Sequence, residues 1–325
     1  MLTLLFPPPT RLLATAAALL LSLAPARAAD YLFSYFTNNG EDGLHLAWST
    51  DGYTWAALNG GKSFLAPKVG KEKLMRDPCL LLGPDGTFRM VWTDSWSDKS
   101  IGYASSKDLL TWSEQTAVPV MATEPTARNC WAPEVDYDAK QGDYVIFWAT
   151  TITGKFPETA TPEDQAHESG YNHRIYRTTT RDFATFTPTQ LFYEPGFNVI
   201  DATMLAANDR FWLIVKDETI TPVPKKNLRL ASSDSPEGPF TNLSAPFSPA
   251  GVWAEGPTAL KVGDDYVVYY DMYRDHKYGA VRSRDLKAWE DVSARLHFPA
   301  GMRHGTALAV PHAVVEKLQA LPGKS

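Results

Sequence analysis

The sequence predicts an all-β fold, a β-propeller of five blades. Three observations predict it. A short motif recurs five times along the chain, a strongly apolar strand precedes each copy, and the two chain ends each lack what the other supplies.

The motif is a strand, a Ser or Thr, an Asp shortly after, and an aromatic four residues beyond. It reads LHLAWSTDGYTW at 44–55, IGYASSKDLLTW at 101–112 and IYRTTTRDFATF at 175–186. It returns in weaker form as LRLASSDSPEGPF at 228–240 and clearly as YGAVRSRDLKAW at 278–289. The Asp would close the turn between the third and fourth strands of a blade through its own backbone, and the aromatic would pack between neighbouring sheets. The strands ahead of the copies are YLFSYF, FRMVWT, YVIFWAT, FWLIVK and YVVYYD, rich in β-branched and aromatic residues. No long stretch with helical periodicity follows residue 30.

Ahead of those strands a second piece recurs: RDPCLLL from Arg76, WAPEVDY from Trp131, IDATMLA from Ile200, AEGPTAL from Ala254 and RHGTALA from Arg303. The fifth copy has no strands after it, and the N-terminal strands have no first strand before them. Pairing the ends completes a fifth four-stranded unit and leaves no open sheet edge. One domain over 29–325 is expected.

The first 28 residues read as a leader. Arg11 precedes the apolar run LLATAAALLLSLA, too short to span a bilayer comfortably, and Ala26 and Ala28 fit a cleavage site after Ala28. The run has no terminal Cys of a lipoprotein anchor, so the expected product is exported without a membrane anchor, periplasmic or secreted. Without Arg11 and Arg27 the mature chain carries 31 − 2 = 29 basic against 37 acidic residues, a net charge of −8. That balance argues against nucleic acid and anionic membranes as partners, and no protein partner is implied. Cys79 and Cys130 are compatible with one disulfide or with two separate buried thiols, and neither sits in a metal motif.

In a propeller the first strand of each blade lines the axis, and its first residue sits at one mouth of the channel. The five starts read together give Asp77, Ala132, Asp201, Glu255 and His304. A single Asp-Pro is ordinary turn chemistry, whereas three carboxylates in register around one axis suggest acid–base work. Crowded carboxylates cannot all ionise easily, so one is driven up and another stays low. Loops at 37–42, 94–100, 151–173, 217–227 and 271–277 share that face. The third is the longest and is expected to wall one side of a pocket that takes a single terminal sugar. Trp96, Phe36 and Tyr273 are candidate sugar platforms, and His167 and His173 could reach the rim but read better as surface residues.

The ordered set RDP at 76–78, WAPE at 131–134, IDAT at 200–203, AEGP at 254–257 and RHG at 303–305 resembles glycoside hydrolase family 43, and the resemblance covers nearly the whole mature chain. It implies an inverting, exo-acting hydrolase of plant-type polysaccharide side chains or oligosaccharides, first of all an α-L-arabinofuranosidase. β-Xylosidase, β-galactofuranosidase and an α-1,3-neoagarooligosaccharide hydrolase-like enzyme are alternatives on the same fold. A non-catalytic sugar-binding propeller is the alternative from another class.

The resemblance assigns Asp77 as general base, Glu255 as general acid, and Asp201 as the residue that raises the pKa of Glu255 and orients it. Inversion places acid and base about 6.5–9.5 Å apart, leaving room for a water. Trp131 would bound the sugar by stacking and Arg303 would grip its hydroxyls, or pair with one of the acids. His304 matches a family His near the axis that can help hold a hydrated calcium. No cofactor is required for the chemistry, and a structural or axial calcium is the one ion implied.

Overall fold

The computed structural model describes residues 30–160 and 170–321; the leader and the middle of the 151–173 loop, His167 included, lie outside the described residues. Five antiparallel sheets form five blades. The first contains β4 (Arg76–Leu82), β5 (Phe88–Thr93), β6 (Ile101–Ser106) and β7 (Thr116–Val118). The second contains β8 (Trp131–Asp138), β9 (Asp143–Thr150), β10 (Arg174–Thr180) and β11 (Gln190–Tyr193). The third contains β12 (Val199–Ala207), β13 (Arg210–Asp217) and β14 (Asn227–Ser233), and the fourth β15 (Glu255–Val262), β16 (Asp265–Met272), β17 (Lys277–Ser283) and β18 (Glu290–Asp291). The fifth is shared between the chain ends: β19 (Arg303–Val310) pairs with β1 (Asp30–Phe36), followed by β2 (His45–Ser49) and β3 (Ala56–Ala57). The inner strands β4, β8, β12, β15 and β19 touch in that order, and β19 returns to β4.

The continuous apolar character of the second strands follows from this ring. Side chains alternate across a strand, and here both faces of every blade are covered. In β16, Val267 and Tyr269 pack towards the fifth blade, while Val268 and Tyr270 pack towards the third. In β9, Val145 and Phe147 join the third blade, and Ile146 and Trp148 join the first. The core is therefore five wedges between blades.

The recurring Asp does close its turn in four blades. Asp51 Oδ1 accepts the backbone N–H groups of Tyr53 and Thr54 at 2.7 Å. Asp108 does the same for Leu110 and Thr111, Asp182 for Ala184 and Thr185, and Asp285 for Lys287 and Ala288. The Trp four residues on adds its indole N–H to the turn, Trp55 to the Gly52 carbonyl and Trp112 to the Leu109 carbonyl, both at 3.2 Å.

The weak copy departs from the pattern. Asp234 turns outward to Arg210 at 3.0 Å, and no fourth strand forms in the third blade. The segment around 241–247 takes that edge through a Ser232–Thr241 bridge and the bond from Ser244 N–H to the Leu230 carbonyl. A short helix unforeseen in the sequence, α1 (His312–Gln319), follows β19 and packs Val315 and Leu318 onto the wedge between the fifth and first blades. No helix among the described residues is long and apolar enough to cross a membrane. Cys79 and Cys130 are separate, buried thiols.

These turns separate in their effect on stability. Asp51→Ala deletes the acceptor of two backbone N–H groups and is expected to cost about 1–2 kcal/mol. Asp234→Ala removes only an exposed ion pair and should stay within about 0.5 kcal/mol. Thermal unfolding of the two variants checks this, and equal losses would refute the assigned difference.

Candidate active site

All five inner strands reach the channel mouth by the same device. Their pairing with the second strand shifts register at one point: between Arg76 and Cys79, Trp131 and Glu134, Ile200 and Thr203, Glu255 and Thr258, and across His304 in β19. In four of them the residue at the break has left-handed backbone, with φ of 51° at Asp77, 45° at Ala132, 52° at Asp201 and 53° at Gly256. This is a β-bulge, which re-aims side chains at the end of a strand.

The bulges give two rings. The outer one holds Arg76, Trp131, Ile200, Glu255 and Arg303; the inner one holds Asp77, Ala132, Asp201, Gly256 and His304. This corrects the expected register. Glu255 is not equivalent to Asp77 and Asp201 but stands one residue earlier, and Gly256 occupies the equivalent place. The proline column shows why: Pro78, Pro133 and Pro257 align, which puts Gly256 under Asp77. Gly256 is required there. Besides its left-handed φ, a Cβ would lie 2.3 Å from Cγ of the His304 ring.

Asp77, Asp201 and Glu255 nevertheless line one cavity of about 470 Å³, with Arg76, Lys216, Arg303 and His304 among its walls. That is sugar-sized and lies in the range of small-molecule sites. Each acid has its own surroundings. Asp77 accepts the Thr93 hydroxyl at 2.7 Å and faces His304 Nδ1 at 3.2 Å, and Thr93 is held in turn by the Ala132 N–H at 2.8 Å. Burial alone would push the Asp77 carboxyl up; the His304 cation, helped by Arg76 and Thr93, outweighs it and holds the group at about 2. Asp201 accepts the Gly256 N–H at 3.0 Å. Burial drives it up to about 6, with Glu255 and Asp77 pushing the same way against His304 and Lys216. Glu255 is gripped on both oxygens: Oε2 accepts Lys216 Nζ and Oε1 accepts Arg303 Nη2, each at 3.1 Å. Arg303 also donates Nε to Asp271 at 2.6 Å, so here it is the ion-pair partner of two acids.

His304 is buried at 6% exposure. Burial opposes its charge, but Asp77 carries the imidazole up to about 9. His304 Nδ1 is committed to Asp77, so Nε2 is the ring nitrogen that would face a hydrated axial ion, with Asp77 fixing the ring. Further down the axis, Glu134 accepts the hydroxyls of Thr203 and Thr306 at 3.1 and 3.2 Å, and burial raises it to about 7.

Four of the five rim loops reach the cavity, through Asn38 and Asn39, Trp96, Glu218 and Tyr273. The fifth, long loop backs it indirectly: Tyr171 packs edge-on against Trp131 at 4.5 Å, and Trp131 lines the cavity. Trp131 also stands perpendicular to Trp96, 5.5 Å away. Phe36 is a correction. It is fully buried beneath the Arg76 guanidinium, 4.6 Å from the ring centre, and offers no sugar platform. His173 is another: it is buried, with Nδ1 on Asn198, and burial holds it down at about 4.

Sequence reasoning missed Arg76, Thr93, Lys216 and Glu218. A signal existed for Lys216, a basic residue at the end of the apolar strand FWLIVK, at the register position held by Thr93, Ala149, Asp271 and Phe36 in the other second strands.

A five-bladed propeller whose axis brings three carboxylates to one sugar-sized pocket defines a carbohydrate-active protein of the glycosidase type. The chain belongs to the glycoside hydrolase family 43-related family described as "Probable glycosyl hydrolase domain", which matches residues 27–316. It is similar to an α-L-arabinofuranosidase of Bifidobacterium longum subsp. longum at 25% identity, over 72% of this chain and 25% of that protein, so it spans about a quarter of that relative's length. Among solved structures, a thermostable family-43 glycoside hydrolase superposes with a TM-score of 0.53 at 15% identity, covering 71% of this chain and 78% of that one. The α-L-arabinofuranosidase of Lactobacillus brevis superposes with a TM-score of 0.52 at 18% identity, covering 67% and 72%. These two likenesses bear on the fold.

The His304–Asp77 pair has a defined pH window. The imidazole is raised from 6.5, so its contribution is full below 6.5 and is lost as pH rises through about 9. The carboxyl is lowered from 3.8, so its contribution is full above 3.8 and is lost as pH falls through about 2. His304 should titrate near 9 by imidazole NMR, and more than about one unit lower in Asp77→Asn. Titration at 6.5 in the wild type would mean that the pair does not form.

Proposed function

We propose that this protein is an exported, inverting, exo-acting glycoside hydrolase, specifically an α-L-arabinofuranosidase. The observation that carries the catalytic reading is the convergence of Asp77, Asp201 and Glu255 on one pocket in three different electrostatic settings. Asp77 is ionised at neutral pH and acts as the base that takes a proton from the attacking water. Glu255 is the acid that protonates the leaving oxygen. Asp201, fixed through the Gly256 N–H, adds negative charge beside Glu255 and favours its protonated form. Arg303 exchanges its ion pairs for sugar hydroxyls when substrate enters, and Trp131, Trp96 and Tyr273 bound the ring.

Likeness to arabinofuranosidases supports the choice of sugar, and the backing of Trp131 by the long loop supports exo action on a terminal residue. The leader read from the sequence supports export to the periplasm or beyond. The acid–base chemistry requires no cofactor, and a hydrated axial calcium beside His304 is the one ion the reading allows.

The test is sugar release from aryl α-L-arabinofuranoside, β-D-xyloside and β-D-galactofuranoside, with Asp77→Asn and Glu255→Gln beside the wild type. Activity on the arabinofuranoside, lost by at least about 100-fold in both variants, is the expected result. Turnover of another sugar with the same losses would keep the mechanism and replace the specificity. An inert wild type that still binds sugars would favour a binding propeller.

A further inference from the structure

Lys216 is the most deeply placed cation of the pocket, 1% exposed at the end of β13. A buried ammonium persists only when it is paired, and this one is paired twice. Nζ donates to Glu255 Oε2 at 3.1 Å and stands 2.7 Å from Glu218 Oε2. Glu218 is itself shared, because its other carboxyl oxygen pairs with Lys226, which also donates to the Glu218 backbone carbonyl at 3.1 Å. With Arg303 and Asp271 on the far side of Glu255, the result is a chain of alternating charge: Lys226, Glu218, Lys216, Glu255, Arg303, Asp271. The Tyr273 ring lies 4.8 Å from the ammonium.

The two cations on Glu255 are not alike. Lys216 is buried and locked by Glu218, whereas Arg303 is 26% exposed and lines the open pocket. We propose that Lys216 is a positioning residue for Glu255 and that Glu218 sets how strongly it acts. Lys216 pins Oε2, which leaves Oε1 as the oxygen that carries the proton once a sugar draws Arg303 away. Unmoderated, the ammonium would favour the carboxylate and weaken Glu255 as an acid. Glu218 takes up part of that charge, so Glu255 is held in place and can still be protonated.

This rests on Glu255 being the general acid. The other groups that act on Glu255 are the cations His304 and Lys226, the acids Asp201 and Asp271, and the phenols of Tyr273 and Tyr278, raised by burial and neutral over the working range. None of them is substituted in the variants below; Asp201, which also feels Lys216, and Lys226, which also feels Glu218, respond to them and damp the shifts.

The alkaline limb of the kcat/KM profile reports the loss of the proton from the acid. In Lys216→Met a cation leaves Glu255, so the limb should move up by about one pH unit while activity at neutral pH falls about tenfold or more from lost positioning. In Glu218→Gln the ammonium acts undiminished, so the limb should move down by a similar amount. Lys216→Arg should hold the limb within about 0.3 units of the wild type while keeping the charge. Shifts of opposite sign from two neighbouring residues are not produced by a merely structural role.

Profiles are taken on whichever aryl glycoside the wild type hydrolyses, with Glu255→Gln alongside and circular dichroism melting for each variant. If Lys216→Met does not fold, Glu218→Gln decides alone. Activity lost in both with unmoved limbs, and Glu255→Gln inactive, would overturn the role of Lys216 only. A fully active Glu255→Gln would overturn the reading of Glu255 and this inference with it.

Discussion

The register break that each inner strand carries at the channel mouth, left-handed in four of the five, is the constraint on which the site depends. In an unbroken strand, consecutive side chains point to opposite faces. The bulge cancels that alternation for one step, so Arg76 and Asp77 both line the pocket, as do Ile200 and Asp201, and Arg303 and His304. The same step lets Glu255 join Asp77 and Asp201 although its register differs by one. Holding a non-glycine residue in this region costs about 1–2 kcal/mol. The protein bears that at Asp77, Ala132 and Asp201 and avoids it at Gly256, where the bare backbone also makes room for the His304 ring. Strain of this kind concentrates where function needs a side chain aimed against the local rule.

Around this frame most of the charges are set against an opposite one. Asp77 is matched by His304, Glu255 by Lys216 and Arg303, Lys216 by Glu218, and Arg303 by Asp271. Among the described residues Asp201 has the Gly256 N–H as its one direct donor, and burial raises its carboxyl to about 6. Giving three carboxylates three different surroundings needs no unusual residue, only unequal partners.

Much of this was legible in the sequence. The blade count came from a five-fold motif whose Ser/Thr and Asp have a physical task, and the one copy that lacks the regular spacing, at 228–240, is the one where the turn and fourth strand differ. The ring closure followed from unequal ends. The pocket acids were found because inner strands share a start, and Glu255 was placed one residue off because its carboxylate, rather than Pro257, was taken as the marker. Phe36 and His173 were misread because aromatic and imidazole side chains near a rim look alike in sequence whether a guanidinium or a neighbouring strand covers them. Lys216 showed only as a charge at the end of an apolar strand, because its pairing with Glu255 on the next blade has no signature in linear spacing.

Closing the ring between β1 and β19 has a further consequence. Asp30 pairs with Val310, so the fifth blade forms only when residues about 280 apart meet, while the four other blades form from neighbouring segments. Long-range pairing of this kind is the slow part of folding. A chain emerging from its amino end would therefore carry β1 with an exposed edge until the last strand arrived, and the pocket, which takes Arg303 and His304 from that strand, could not exist before then. Catalytic competence and completion of the fold would coincide in time, so a truncated or unfinished chain would have acids on display but no site.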